Sequence, residues 1–340
     1  MPEVMTSTST SSNPTVVFTK PNEVVVEDRA IPKPEAGHVL IRTACTMIST
    51  GTELTALSGR TEASWAGMKL PFVPGYNNIG RVVEVGEGVG REWIGRKVGT
   101  YGPHAKFVMQ AVGDCRQNPH DQIPDEHAVF FTTAEIVMNG VRRSGLRWGE
   151  SVVVFGQGLL GQLATRICRI AGGLPVFAVD VSDERLGRLP ADKSIVRANS
   201  KRDDVLKLVE QHTRGRLADV VIELTGQAEL IPSEFAPLRK HGRFVVLSSP
   251  RGKTTFEFHP FMQRSQIIIG AHNGSHPRYS EFDNPWTMQR DAELFFDWVA
   301  SGAMDMSPLI SHRASYQDAP KLYQMLLEDR SKAMGVILNW

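Results

Sequence analysis

The stretch Ser151-Val-Val-Val-Phe-Gly-Gln-Gly-Leu-Leu-Gly161 constrains the fold of this chain more than any other. Val152 to Phe155 is a continuous apolar, β-branched run bounded by glycine, the pattern of a strand buried on both faces. Gly156-Gln157-Gly158-Leu159-Leu160-Gly161 follows as G-x-G-x-x-G, and Leu163 to Ala171 continues at helical spacing. The glycines have separate tasks: a tight turn, close backbone approach to a pyrophosphate, and close packing of helix on strand. Open N–H groups at the helix start then face the phosphates. A second apolar run, Val176 to Val179, ends in Asp180, nineteen residues after Gly161, where an acid meets the hydroxyls of an adenosine ribose. Strand, turn, helix, strand and acid in this order predict a dinucleotide-binding βαβ unit. Asp180 would accept from the ribose hydroxyls and repel a 2′-phosphate, so NAD(H) is expected in preference to NADP(H). Arg185 could pair with a phosphate, but its place five residues downstream puts it on the next helix, salt-bridged to Asp183 or Glu184.

At 340 residues the chain has material for about two domains. A net charge of +1 gives no sign of a nucleic-acid or anionic-membrane partner. Cys45, Cys115 and Cys168 are odd in number and far apart, which suits a reducing cytoplasm and offers no disulfide framework. No apolar run approaches the ~18 residues of a membrane span. Residues 1–14, rich in Ser and Thr, read as a disordered leader.

Short β-branched runs at Thr15–Phe18, Glu23–Glu27 and His38–Thr43, separated by Pro and Gly, predict an all-β module. Cys45–Glu53 reads as a polar loop, and strands recur near Gly80–Val89, Gly95–Gly99 and His104–Met109. Residues 15–125 are therefore expected to form a partly open β-barrel-like domain. From Asp125 the pattern changes to helices alternating with fully apolar runs at Val176–Val179, Val220–Glu223, Phe244–Leu247 and Ile267–Ile269. That alternation predicts an α/β fold with a doubly wound parallel sheet. Helices at Asp291–Ser301 and Gln317–Asp329 and a strand at Ala333–Leu338 close the chain.

The order of Val73-Pro74-Gly75, Gly80-Arg-Val-Val-Glu-Val-Gly-Glu-Gly-Val89, Gly95-Arg-Lys-Val98, the glycine fingerprint, Val221-Ile-Glu-Leu-Thr-Gly226 and Ser301-Gly302 resembles the medium-chain dehydrogenase/reductase superfamily. The resemblance runs from about residue 15 to the end and is nearest the alcohol and polyol dehydrogenase branch. It implies a GroES-like catalytic domain (15–125 and 275–340), a Rossmann cofactor domain (126–274) inserted in it, and an active site in the cleft between. Thr225 and Gly226, with Ser248 after the next strand, would line the cofactor pocket beside Gly156–Gly161 and Asp180.

Zinc-dependent members of that branch carry Cys-Gly-x-Asp, then Gly-His-Glu, then a Cys or Glu before the Rossmann domain. Here the first motif reads Ile48-Ser49-Thr50-Gly51-Thr52-Glu53, the second Gly75-Tyr76-Asn77, and Thr132 falls near the third position. Hydroxyls and an amide are poor zinc donors. The four-cysteine lobe is also missing, so a zinc-free member is expected. Without a metal, side chains must supply a donor to the substrate oxygen and a proton path. Tyr76 stands where a ligand would be and either donates to that oxygen or fills the vacated volume. Ser49 and Thr50 either relay the proton or stabilise their loop. His272 either faces the nicotinamide or is a loop histidine at a subunit contact. The leading reading is a cytoplasmic, zinc-independent, NAD(H)-dependent oxidoreductase interconverting a small-molecule alcohol, sugar- or polyol-like, and its ketone or aldehyde, as a homodimer or homotetramer. Two rivals stand beside it: a reductase of activated C=C bonds, and a catalytically silent NAD-binding sensor.

Overall fold

The computed structural model describes residues 12–59 and 69–340. These divide into two compact units, one made of the residues up to Thr132 together with Ile310–Trp340, the other Thr133–Leu309. The cofactor unit therefore reaches further than residues 126–274. It keeps the segment 275–309, including a long amphipathic helix, which was expected to return to the catalytic domain. Of the expected leader, residues 1–11 lie outside the described residues, whereas Ser12 to Pro14 open the first strand.

In the first unit, β1 (Ser12–Lys20) and β2 (Glu23–Ala30) form an antiparallel hairpin turned at Asn22, whose φ of 60° gives the tight reversal. Next come β3 (His38–Ile48), α1 (Thr52–Leu57), β4 (Asn78–Val85), β5 (Lys97–Thr100), β6 (Phe107–Ala111), β7 (Arg116–Gln117) and α2 (Asp125–Ala128). The expected polar loop Cys45–Glu53 is mostly regular structure. β3 carries on to Ile48 because Cys45, Met47 and Ile48 are buried, and α1 starts at Thr52. Val39, Ile41, Val82, Val98, Ala105 and Val108 pack one core of this unit.

In the second unit, α3 (Phe131–Arg143) leads in from the first, and then strands alternate with helices. They run β8 (Val152–Phe155), α4 (Leu159–Ile170), β9 (Val176–Asp180), α5 (Asp183–Gly187), β10 (Ile195–Asn199), α6 (Val205–His212), β11 (Ala218–Glu223), α7 (Ile231–Glu234), β12 (Leu238–Val246), α8 (Phe258–Gln263), β13 (Ile267–Gly270) and α9 (Met288–Ala300). The sheet is ordered β10-β9-β8-β11-β12-β13 and is parallel throughout. β8 and β11 are neighbours although they are far apart in the chain, so the strand order reverses there. That switch point is where an open α/β sheet leaves a crevice at its carboxyl ends.

The chain then returns to the first unit through β14 (Ile310–Ser315), α10 (Ala319–Glu328) and β15 (Gly335–Asn339). β15 pairs antiparallel with β3, placing Val336 opposite Ile48, in a sheet ordered β14-β15-β3-β4-β5-β7, with β6 also on β3. Val16, Phe18, Ile48, Leu54, Leu57, Tyr323 and Leu338 share a core, so the C-terminal segment is built into the first unit by burial.

Candidate functional site

The glycine turn ends β8 and opens α4. Gly156 has φ +86°, and a Cβ on Gly161 would sit 1.7 Å from the Gly156 carbonyl oxygen, so no other residue fits the helix against the turn. A Cβ on Gly158 would meet nothing within 4 Å: the space before the first turn of α4 is open. Gly158 is the N-cap and brings no side chain to the free N–H groups there. The turn is stiffened from behind by buried polar groups, Gln157 Nε2 donating to Val154 O at 3.1 Å and Thr165 Oγ1 to Gln157 Oε1 at 3.1 Å. These residues fit a dinucleotide: the N–H groups of Leu159 and Leu160 at the start of α4 would face its phosphates, with Gln157 shaping the turn.

Asp180 lies at the end of β9 and is 7 % exposed. Its Oδ2 accepts the Gln157 N–H at 2.6 Å and its Oδ1 the Ser182 N–H at 2.9 Å. The Arg185 guanidinium is 3.6 Å from Asp180, while Arg202 pairs with Asp183 and Arg188 with Glu184. At the ends of β11 and β12, Glu223 gathers the other expected pocket residues. It accepts the Gly226 N–H and the Thr225 hydroxyl, both at 2.8 Å, and the Ser248 hydroxyl. Burial and the charge of Glu223 push the nearby Glu234 carboxyl up to about 8. His272 is exposed and caps the turn that follows it, its Nδ1 accepting the Gly274 N–H at 3.0 Å. The ring proton of neutral His272 is thereby placed on Nε2.

In the first unit, a cluster of hydroxyls forms around Tyr76. Gly75, at φ +111°, lets the loop carrying Tyr76 press on the chain at His104, where a Cβ would come within 2.5 Å of the backbone nitrogen. Tyr76 Oη donates to Ser49 Oγ at 2.5 Å and lies 3.5 Å from Thr52 Oγ1. Thr132 donates to the Tyr76 carbonyl at 3.2 Å. Burial holds the Tyr76 phenol above its usual range against the pull of the Ser49 and Thr52 hydrogen bonds, and the Glu53 charge adds to the rise. Thr50 is not part of this cluster: its carbonyl accepts from Arg330 at 2.8 Å.

Behind the hydroxyls lies a pair that the sequence gives separately, Glu53 as a surface carboxylate and His104 as a satisfied histidine rather than as metal ligands; the structure instead buries Glu53 against His104. Glu53 is 2 % exposed, and its Oε2 meets His104 Nε2 at 3.0 Å and accepts from the Tyr323 hydroxyl. Its Oε1 accepts the Ser49 N–H at 3.0 Å. The acid in the first turn before apolar Leu54 is the signal that could have found it, since a carboxylate there reaches back to backbone N–H groups ahead of the helix, here that of Ser49. A zinc ion does not suit these donors. Ser49, Tyr76 and Thr132 offer neutral hydroxyls, Asn77 gives its amide to Met47 O at 3.1 Å, and Glu53 is taken up by His104, Tyr323 and the Ser49 N–H.

Two family models match the chain end to end of one another: the alcohol dehydrogenase GroES-like domain over residues 35–160, and the zinc-binding dehydrogenase domain over residues 160–287. This chain belongs to the medium-chain dehydrogenase/reductase superfamily. Within the superfamily it is 27% identical to sorbitol dehydrogenase 2 of Saccharomyces cerevisiae, across 97% of this chain and 99% of that one. Its fold matches a solved alcohol dehydrogenase of Escherichia coli CFT073 complexed with NADH, at TM-score 0.80 and 17% identity over 97% of this chain and 100% of the other. It also matches a dehydrogenase of Sinorhizobium meliloti 1021 bound to NADP, at TM-score 0.81 and 20% identity over 97% and 100%. The fold class is thus the expected one, a GroES-like domain with a Rossmann parallel sheet. Among the described residues no helix is long and apolar enough to cross a membrane.

Proposed function

We propose that this oxidoreductase of CH–OH groups interconverts a polyol-like alcohol and its ketone or aldehyde with NAD(H), using side-chain hydroxyls in place of zinc. The Tyr76–Ser49 hydrogen bond of 2.5 Å carries this reading, because it sets a protonated phenol on a second hydroxyl at a position where the zinc enzymes have a ligand. A bound nicotinamide supplies or takes up the hydride. In the reducing direction the Tyr76 phenol turns its proton from Ser49 to the carbonyl oxygen and is reprotonated from solvent through the Ser49 or Thr52 hydroxyl. In the oxidising direction the same hydroxyls relay the alcohol proton out to solvent. The sorbitol dehydrogenase relative supports the polyol class. Asp180 at the end of β9 supports NAD(H), with the Arg185 guanidinium offsetting part of its charge. Three buried free cysteines support a cytoplasmic setting, and the exposed outer strand β13 supports a homo-oligomer.

Protein purified without an affinity metal tests the reading. Elemental analysis is expected to find no stoichiometric zinc, and NADH loss is expected with ketones related to polyols. Activity that disappears on chelation and returns with zinc would overturn it.

A further inference from the structure

Glu53 is a carboxylate placed where water does not reach it. It is 2 % exposed, and the His104 and Tyr323 that flank it are 0 % exposed. Desolvating an acid costs several kcal/mol, and an apolar residue of similar volume would fill the same core without that cost. Packing alone therefore gives no reason for an acid here. Its contacts do. One oxygen is held by His104 and Tyr323, and the other holds the backbone of Ser49, whose hydroxyl receives the Tyr76 phenol.

We propose that Glu53 is a positioning residue for the Tyr76–Ser49 pair: pinned from behind by His104 and Tyr323, its carboxylate fixes the Ser49 backbone so that the pair presents one proton to the substrate oxygen. The inference rests on the donor role proposed for Tyr76. Geometry provides the first part of the effect. A shift of the Ser49 amide would move Oγ off the phenol, and the 2.5 Å contact leaves little room for that. Charge provides the second. A negative group behind the pair disfavours phenolate, and it adds to burial in holding the Tyr76 phenol above its usual range. The phenol thereby keeps its proton to higher pH than a free tyrosine.

A role confined to clamping three segments together would affect stability and leave the phenol alone, so the test reads the phenol directly. Tyrosinate formation is followed by ultraviolet difference spectra in the wild type and in Glu53→Gln, each with and without Tyr76→Phe. In Glu53→Gln, the transition that disappears with Tyr76→Phe is expected at lower pH than in the wild type. The same variant is expected to lose roughly tenfold or more in kcat with KM nearly unchanged. That loss should vanish in the Tyr76→Phe background, as for two residues acting as a unit. An unmoved Tyr76 transition, or an equal loss of kcat in both backgrounds, would overturn the proposal. If Glu53→Gln does not fold, Tyr323→Phe takes its place in the same cycle. Removing that donor from the carboxylate is expected to shift the Tyr76 transition and lower kcat, again only where Tyr76 is present. Should Tyr76→Phe alone prove fully active, the donor reading fails, while the spectral shift still reports whether Glu53 governs the phenol.

Discussion

Asp180 Oδ2 accepts the backbone N–H of Gln157 at 2.6 Å, so the acid at the end of β9 and the glycine turn after β8 are fastened together. The carboxylate that faces the ribose in our reading also sets the shape of the turn that faces the phosphates.

Asp180→Ala is therefore expected to act twice. It removes the hydrogen bonds to ribose and the repulsion of a 2′-phosphate, and it releases the Gln157 and Ser182 N–H groups. NADH affinity should fall by roughly tenfold or more, and NADPH affinity less, narrowing the gap between them. Calorimetric titration with both cofactors measures this. Unchanged affinities would place the ribose elsewhere.

Glu234 gives a pH dependence of stability. Its carboxyl is raised to about 8 from an ordinary 4.5 by burial and by Glu223. The folded protein thus keeps a proton that the unfolded chain releases. The stability tied to that proton is full below about 4.5 and is lost as pH rises toward about 8. Glu234→Gln, which imitates the protonated acid, is expected to match the wild type near the acid end and to exceed it by up to a few kcal/mol above pH ~8. Thermal melts across this range measure it, and a constant difference at every pH would contradict the assignment.

The outer strand β13 exposes Ile267 by 52 % and Ile268 by 46 %. An apolar edge strand invites a second copy to extend the sheet. Light scattering at micromolar concentration is expected to give at least a dimer mass, and Ile268→Lys to lower it. A monomeric wild type would remove β13 as an interface.

The parallel sheet was legible where strands are unbroken β-branched runs, as at Val152–Phe155 and Val176–Asp180. β10 was missed because Arg197 interrupts it. The guanidinium escapes to the carbonyls of Leu186, Leu189 and Pro190, so a charged residue sits comfortably in a strand. β14 was missed for a similar reason, since His312 and Arg313 lie on an edge strand in contact with solvent. Tyr76 and Ser49 stood out because they replace expected ligands, and the structure joins them. Glu53 and His104 stood out only as a metal pair without spacing support, and Thr52 and Tyr323 not at all, since Glu53 meets partners 51 and 270 residues away. Arg185 was hard to place because three arginines compete for three acids nearby, and spacing alone does not decide which pairs form.

Single-turnover hydride transfer from NADH in metal-free protein, comparing the wild type with Tyr76→Phe, tests the central claim most directly. Phenylalanine keeps the ring and removes the hydroxyl that rests on Ser49. A donor to the developing charge on the substrate oxygen is expected to be worth roughly 10²-fold in rate, with NADH affinity nearly unchanged. Full activity of Tyr76→Phe would make the ring a space-filler and contradict the account.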